Sequence, residues 1–153
     1  NIDDLKKKYN LEKYILLFPF CSINLPHKKW PYYNDLILLI NKNNPEFKLI
    51  VAPSPNEIEE SKKINAQVIL KDDKALTITQ LAGLIDKAQF IISNDTGPAH
   101  MAAHLGAKGV TLFGYHTTPK KVSIETNKFK AIIKNNLNEL SAEEVYSNIS
   151  KKL

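Results

Sequence analysis

The sequence predicts an α/β fold with a doubly wound parallel sheet covered by helices on both faces, three layers in all. Short apolar runs recur along the chain, and each interval is long enough for a helix. The runs are nearly continuous and do not alternate with polar residues, which is typical of parallel strands buried on both faces. Strands that alternate with helices through right-handed crossovers give this Rossmann-like architecture in a single domain.

Five apolar runs are predicted strands, and a sixth, weaker run lies near the C-terminus. In chain order they are residues 14–18, 47–52, 67–70, 90–92, 110–113 and, more weakly, 131–133. If the strand order is 3-2-1-4-5, the first and fourth strands are neighbours and the winding reverses between them.

Helices are predicted between the strands from apolar spacing and start signals. Pro31 suits a first turn, while Thr77 with Gln80 and Ser141 with Glu144 have capping-box spacing. The predicted helices are residues 31–43, 56–64, 77–88, 98–105 and 141–153.

Composition indicates an ordinary globular domain in a reducing compartment. The chain has 153 residues, of which 43% are hydrophobic and 24% charged. A single cysteine, Cys21, excludes an internal disulfide, and without an identifiable partner base we interpret it as a small apolar residue. The first ten residues are polar and lysine-rich, unlike a signal peptide, and no apolar run approaches the roughly 20 residues of a membrane span. We expect a cytoplasmic protein and, since the chain starts at Asn1, a piece of a longer one.

The positive charge does not indicate a nucleic-acid partner. All 21 cationic residues are lysines, and they are dispersed along the chain. Specific reading of bases relies on arginine for its two-pronged hydrogen bonding. We therefore expect no nucleic acid, and at most a weak, nonspecific attraction to an anionic membrane surface.

Two unusual loops follow the first and fourth predicted strands, where a doubly wound sheet binds its ligands. In the later loop Asp95 and Thr96 suit an N-cap, Gly97 permits close approach and Pro98 suits a first turn. A helix starting here attracts anions, phosphates above all, and His100 lies in its first turn. The alternative interpretation is that these residues only cap and turn the chain, with His100 partly buried in the core.

The earlier loop, residues 19–31, carries groups that suit the same anion. Lys28 and Lys29 are mobile positive charges, and Ser22 and Asn24 can donate hydrogen bonds. Alternatively, the two lysines are simply a solvated pair. Trp30 is expected in the core, because an indole gains most from burial.

The two loops together resemble the C-terminal half of a heptosyltransferase of glycosyltransferase family 9. The resemblance rests on residues 28–31 (KKWP) and 95–100 (DTGPAH) at their spacing, and covers residues 14–119. It implies the donor-binding half of a GT-B enzyme of lipopolysaccharide core biosynthesis, with a nucleotide-diphosphate sugar such as ADP-heptose as donor. It also implies an N-terminal domain, absent from this chain, that binds the glycan or glycolipid acceptor. No cofactor or metal is implied, and location is expected to be cytoplasmic, peripheral to the inner membrane.

The resemblance assigns diphosphate binding to both loops. Lys28 matches the family lysine that contacts the diphosphate, and the binding turn is matched by Asp95, Thr96, Gly97 and His100.

The remaining matched positions concern the first phosphate loop and the nucleoside. Ser22 and Asn24 fall in that loop, Glu57 resembles the acidic residue that holds the ribose, and Leu76 lies where the family packs the base. Without the resemblance, Glu57 is a surface carboxylate at a helix start, which the helix dipole favours in any case.

Two segments depart from the family pattern. Phe20 and Cys21 replace the usual Gly-Ala, and residues 115–119 (YHTTP) replace a Pro-Thr-containing segment after Gly114. The family's proposed catalytic aspartate lies in the absent domain, so we expect no catalytic residue here. This domain alone should bind nucleotide without transferring sugar.

Two alternatives belong to other classes of protein. One is a self-standing α/β module that binds a nucleotide or phosphate for regulation, without catalysis. The other is a zinc hydrolase using His100 and His104, although the zinc-protease pattern needs a glutamate where Met101 stands.

Overall fold

A computed structural model describes residues 2–20, 29–114 and 124–153. The strands of the described part are β1 (Tyr14–Phe18), β2 (Lys48–Val51), β3 (Gln67–Val68), β4 (Phe90–Asn94), β5 (Gly109–Phe113) and β6 (Phe129–Ile133). The α-helices are α1 (Ile2–Tyr9), α2 (Tyr33–Asn43), α3 (Ile58–Ser61), α4 (Ile78–Lys87), α5 (Gly97–His104) and α6 (Ala142–Ile149). Short 3-10 turns lie at Pro55–Glu57, Leu137–Glu139 and Ser150–Lys152.

The sheet confirms the predicted α/β fold and its strand order. Its order is β3-β2-β1-β4-β5-β6, and every neighbouring pair is parallel. The weak run near the C-terminus is part of β6, which pairs with β5 from Gly109↔Phe129 to Phe113↔Ile133. The first and fourth strands are neighbours, as expected, so the winding reverses between them.

Two separate apolar clusters form the core, one on each face of the sheet. Successive residues of β1 belong to opposite clusters. Ile15 and Leu17 pack under α2 and α6, whereas Leu16 and Phe18 pack under α1, α4 and α5. All of β1 is buried, which explains its unbroken apolar run.

Helix ends follow the start and stop signals in the sequence. Both expected capping boxes are present, since Thr77 accepts from the Gln80 N–H and Ser141 from the Glu144 N–H. The Ser141 backbone N–H also donates to the Glu144 carboxylate, which lowers the pKa of that side chain. After α5, Gly106 has a φ of 72°, a left-handed conformation that suits glycine and ends the helix.

Several predicted helices differ from the observed ones in length. Residues 56–64 form a 3-10 turn and the four-residue α3, because proline and exposed polar residues favour only short turns there. Pro31 lies ahead of α2, whose N-cap is Tyr32. The predicted helix 141–153 ends as α6 at Ile149 and continues as a 3-10 turn.

Helix α1 was missed because its lysines dominate the first ten residues. Leu5 and Leu11 are buried nonetheless, and the Tyr9 hydroxyl donates to the Leu70 carbonyl and accepts from the Leu70 N–H. Within the described ranges, no helix is long and apolar enough to cross a membrane.

Gly109 is a position where the sheet permits no side chain. A Cβ there would lie 2.3 Å from the Ile91 carbonyl oxygen and 2.9 Å from a Phe129 ring carbon. We predict that Gly109→Ala lowers the free energy of unfolding by at least about 1–3 kcal/mol, because the Ile91 carbonyl belongs to the backbone of the neighbouring strand β4 and cannot move aside. Urea denaturation measures the loss, with Gly83→Ala as control, where the nearest atom would be Ile2 Cβ at 3.4 Å. Equal stability of the two variants would contradict the prediction.

Candidate functional site

The floor of the candidate site is the junction of β1 and β4. The two strands run parallel in register from Ile15↔Phe90 to Phe18↔Ser93, so their carboxyl ends leave the sheet side by side. The predicted crevice at the reversal of winding is therefore formed by neighbouring strand ends.

A sharp turn leads from β4 into α5. Thr96 occupies the N-cap with an extended backbone, φ −143° and ψ 171°, but its side chain makes no capping hydrogen bond. Instead its Oγ1 is buried and has no hydrogen-bond partner among the residues that the structure describes. A buried hydroxyl without a partner is costly, and such groups mark places where a ligand or water completes the bonding.

The first turn of α5 leaves one backbone donor outside the helical ladder. Pro98 has no N–H, and the N–H groups of Ala99 and His100 donate to the Thr96 carbonyl at 3.1 and 3.4 Å. The Gly97 N–H lies before these bonds in the helix, and a Cβ at Gly97 would meet no atom of the described residues within 4 Å. An anion approaching Gly97 would thus find open space, a backbone N–H and the positive end of a helix.

Asp95 and His100 lie on either side of this N-terminus. The Asp95 side chain is 5% exposed and the His100 side chain 41% exposed, with Oδ1 and Nε2 separated by 3.9 Å. The two side chains form an ion pair at that distance when the imidazole is protonated, but the distance is too long for a hydrogen bond. The partly exposed imidazole can donate to an anion at the mouth of the turn.

A buried polar network below the turn was missed by sequence reasoning. The Asn94 side chain, fully buried, accepts from the Tyr33 hydroxyl at 3.0 Å and donates to the Pro19 carbonyl at 2.9 Å. The Ser93 hydroxyl donates to the Asn94 carbonyl at 2.6 Å. The available signal was Ser93-Asn94, a polar pair closing an otherwise apolar run.

The earlier loop is described only at its two ends. Ser22, Asn24 and Lys28 lie outside the described residues, as do Cys21 and residues 115–119. The Lys29 ammonium pairs with Glu60 of α3, so the end of this loop lies beside the element that follows β2.

Trp30 and Phe20 are buried, which confirms the expected core position of Trp30. The Trp30 ring stacks edge-on against Tyr33, with centroids 5.0 Å apart, and its Nε1 donates to the Leu140 carbonyl. The tryptophan therefore joins α2 to the segment before α6.

The two proposed nucleoside residues follow β2 and β3 at the same edge of the sheet. Glu57 is half-buried, and its Oε1 accepts from the Ser54 N–H at 3.0 Å, which closes a capping box around the 3-10 turn. Leu76 is half-buried, packs against the cluster beneath α4, and immediately precedes the Thr77 N-cap. The structure thus places both side chains beyond the carboxyl ends of strands, with one Glu57 oxygen engaged in the local turn.

Two depressions lie away from all these residues. One, of about 830 Å³, is at the amino-terminal edge of the sheet beside Lys13 and Lys48, and another, of about 530 Å³, lies between α2 and α6. By size alone, the first depression would be favoured as a ligand-binding site. Parallel sheets, however, bind ligands at the carboxyl edge, where helix N-termini converge. In the described ranges no three His, Cys, Asp or Glu side chains are grouped to hold a metal ion.

Comparison with known proteins identifies a matching family and fold. The sequence profile of glycosyltransferase family 9 (heptosyltransferase) matches residues 3–152. The lipopolysaccharide core heptosyltransferase OpsX of Haemophilus influenzae is 28% identical over 109 residues, which cover 68% of this chain and 31% of that protein.

Two solved structures from E. coli share the fold. Heptosyltransferase WaaC with ADP superposes with a TM-score of 0.78 at 21% identity, covering 95% of this chain and 47% of that one. ADP-heptose lps heptosyltransferase II superposes with a TM-score of 0.80 at 18% identity, covering 99% of this chain and 50% of that one. The chain thus spans about half the length of these structures.

The same substitution at two N-caps tests whether the Thr96 hydroxyl is unused by the fold. We predict that Thr77→Val costs about 1 kcal/mol of unfolding free energy because it removes a capping bond. Thr96→Val should leave the free energy of unfolding unchanged or raise it, since valine keeps the shape of the side chain and removes a hydroxyl that has no partner among the described residues. Thermal and urea denaturation measure both, and an equal loss at Thr96 would mean that its hydroxyl already has a structural partner.

Proposed function

The chain belongs to glycosyltransferase family 9, and from that premise we propose that it binds the nucleotide-diphosphate sugar donor of a sugar transferase. The donor class is ADP-heptose or a similar nucleotide sugar, and the diphosphate lies at the N-terminus of α5. The observation that carries the proposal is the buried Thr96 hydroxyl, which has no partner among the described residues and stands next to Gly97, where those residues leave space for an anion.

Each group of the turn has a distinct part in holding the diphosphate. The Gly97 N–H and Thr96 hydroxyl donate to phosphate oxygens, and His100 adds a hydrogen bond or, when protonated, a positive charge. The buried Asp95 carboxylate lies beside the imidazole, with its Oδ1 3.9 Å from the Nε2 of His100. Lys28 adds a mobile positive charge, and Ser22 and Asn24 add donors, from the neighbouring loop.

The nucleoside lies toward β2 and β3. Glu57 accepts the ribose hydroxyls with the oxygen not committed to Ser54, and Leu76 packs against the base. The Lys29–Glu60 ion pair supports this arrangement, because it brings the end of the first loop beside the helix that follows Glu57.

These groups favour the departure of the nucleoside diphosphate. An acceptor hydroxyl attacks the anomeric carbon, a new glycosidic bond forms, and the carbon–oxygen bond to the diphosphate breaks with its electron pair on the diphosphate. Charge that grows there is stabilised by donors already in place, each worth roughly 3 kcal/mol in favourable cases.

The proton of the acceptor hydroxyl passes to a general base in an N-terminal domain, which also binds a glycan or glycolipid acceptor at the inner membrane. Residues 1–153 alone then bind donor without transferring sugar.

Nucleotide titration tests the proposal directly. Calorimetric titration of this chain with ADP should show saturable binding at one site per chain, tighter than for inorganic pyrophosphate because the nucleoside adds contacts. UDP as a third ligand tests the preference for adenine. No saturable binding of any of the three ligands would overturn the proposal, whereas equal affinity for pyrophosphate and ADP would favour a phosphate-binding module without a nucleotide substrate.

A methyl group at Gly97 separates binding from folding. We predict that Gly97→Ala keeps the unfolding free energy within about 0.5 kcal/mol, because the added Cβ meets no atom within 4 Å in the part of the chain that the structure describes. ADP affinity should fall about tenfold, since the methyl group displaces the phosphate oxygen from the backbone N–H. Gly83→Ala in α4 is the matched control and should leave the affinity unchanged. If Gly97→Ala binds ADP as tightly as the unchanged chain, the diphosphate does not approach this position.

A further inference from the structure

The Tyr9 hydroxyl holds the chain at the point where it leaves the sheet after β3. The Ile69 N–H still donates to the Val51 carbonyl of β2, as in a continued strand. At Leu70, the next residue, the Tyr9 hydroxyl donates to the backbone carbonyl at 2.9 Å and accepts from the backbone N–H at 3.2 Å. One side chain of α1 therefore bonds both backbone polar groups of the residue at which the chain turns away from the sheet.

Tyr9 is itself fixed to the sheet. It ends α1, whose Leu5 is buried, and Leu11, just beyond the helix, is buried as well. The Tyr9 carbonyl accepts from the Nζ of Lys48 in β2 at 2.5 Å, and Tyr9 packs against the apolar cluster on this face. Because α1 and β2 together hold Tyr9, its hydroxyl fixes the position of Leu70 relative to the sheet.

A tight hairpin turn connects Leu70 to the segment that contains Leu76. Lys71 and Lys74 exchange backbone hydrogen bonds of 2.9 and 3.0 Å, and the two aspartates between them have φ angles of 50° and 63°. Both φ angles lie in the left-handed region, as a favoured two-residue hairpin turn requires. A turn closed in this way has little conformational freedom, so a displacement of Leu70 is transmitted toward Leu76.

The other end of this segment is set by the N-cap of α4. The Thr77 hydroxyl accepts from the Gln80 N–H, and the Thr77 N–H donates to the Gln80 side chain. Leu76, immediately before this cap, packs against the same apolar cluster as Tyr9. Leu76 therefore lies between two anchors, which are the capping box after it and the bonded Leu70 before it.

We infer that Tyr9 is a positioning residue, which places the Leu76 side chain for contact with the base of a bound nucleotide. The inference rests on the proposed function, in which Leu76 packs against the base. The effect of Tyr9 passes through Leu70 and the hairpin turn, and involves no contact between Tyr9 and the nucleotide. Without the Tyr9 bonds, the segment has to be ordered as the nucleotide binds, and that ordering reduces the affinity.

Two tyrosines on opposite faces of the sheet provide a matched test. Tyr9→Phe removes the hydroxyl that bonds Leu70 and keeps the ring, together with its contact to the Lys8 ammonium. Tyr146→Phe is the control, because its hydroxyl donates to the Asn44 side chain at 2.6 Å, where α2 ends against α6. Both tyrosines are half-buried, so each variant loses bonding of a comparable kind at a different place.

The two variants should differ in nucleotide binding but not in phosphate binding. ADP affinity of Tyr9→Phe, measured by calorimetry, should fall roughly threefold to tenfold, the equivalent of one lost hydrogen bond. Its pyrophosphate affinity should change less than about twofold, because pyrophosphate has no base to contact Leu76. Tyr146→Phe should change neither affinity. In ligand-free NMR spectra, Tyr9→Phe should shift the Leu76 amide signal, and Tyr146→Phe should leave it in place.

A second pair of variants tests the hairpin turn without disturbing the core. Proline holds φ at about −65°, so Asp73→Pro opens this exposed turn, whereas Asp73→Gly keeps the left-handed conformation. Both variants remove the carboxylate. ADP affinity of Asp73→Pro should be at least about threefold lower than that of Asp73→Gly, with equal pyrophosphate affinities. This comparison holds even where Tyr9→Phe is too unstable to titrate.

Three results would show that the positioning role is wrong while the donor site stands. Tyr9→Phe binds ADP as tightly as the unchanged chain, or it loses pyrophosphate affinity as much as ADP affinity, or Asp73→Pro and Asp73→Gly bind ADP equally well. A different result would overturn more. If the unchanged chain binds ADP no more tightly than pyrophosphate, the base contact of the proposed function fails, and the positioning role fails with it.

Discussion

Burial of the sheet on both faces is the constraint from which the rest of the structure follows. Parallel neighbours cannot be joined by tight hairpins, so each connection crosses a face of the sheet as a helix or loop. Helices α2 and α6 cover one face, and α1, α4 and α5 cover the other. Because the chain moves outward from β1 in both directions, β1 and β4 become central neighbours, and the helices that follow them, α2 and α5, pack on opposite faces of the sheet. Doubly wound sheets bind their ligands in the opening beside the carboxyl ends of two such strands.

The polar groups near this opening stand in contrast to the apolar sheet. Among the residues that the structure describes, four of the five buried polar ones lie on β4, β5 or the turn after β4: Ser93, Asn94, Asp95 and Thr111. Burying them costs free energy unless they are bonded, and the bonds of Ser93 and Asn94 show how that cost is met. The sheet is thus less apolar where it meets the site, which is typical of regions shaped by function more than by stability.

The electrostatics of the site are local. The chain has a net charge of +5 from dispersed lysines, which creates a weak field at physiological salt. The turn before α5 is distinguished by a few hydrogen-bond donors at a helix N-terminus, next to the buried Asp95 carboxylate. An anion held by such donors would be recognised by their geometry more than by the net charge of the chain.

The sequence alone determined the fold class and the local structure of several elements, because these depend on patterns within short segments. Three kinds of local signal predicted the structure formed there: the unbroken apolar run of β1, the capping boxes at Thr77 and Ser141, and the glycine that ends a helix at Gly106. Helix α1 was not predicted, since Leu5 is its one buried residue and a single leucine among lysines gives little periodic signal.

Only the tertiary structure decided that Asn94 bonds Pro19 and Tyr33, that the Thr96 hydroxyl is buried without a described partner, and that Lys29 pairs with Glu60. These contacts join residues 31 to 75 positions apart in the chain, or depend on which atoms surround one oxygen. The spacing of residues within one segment cannot predict these contacts, because they arise from the packing of whole elements against each other.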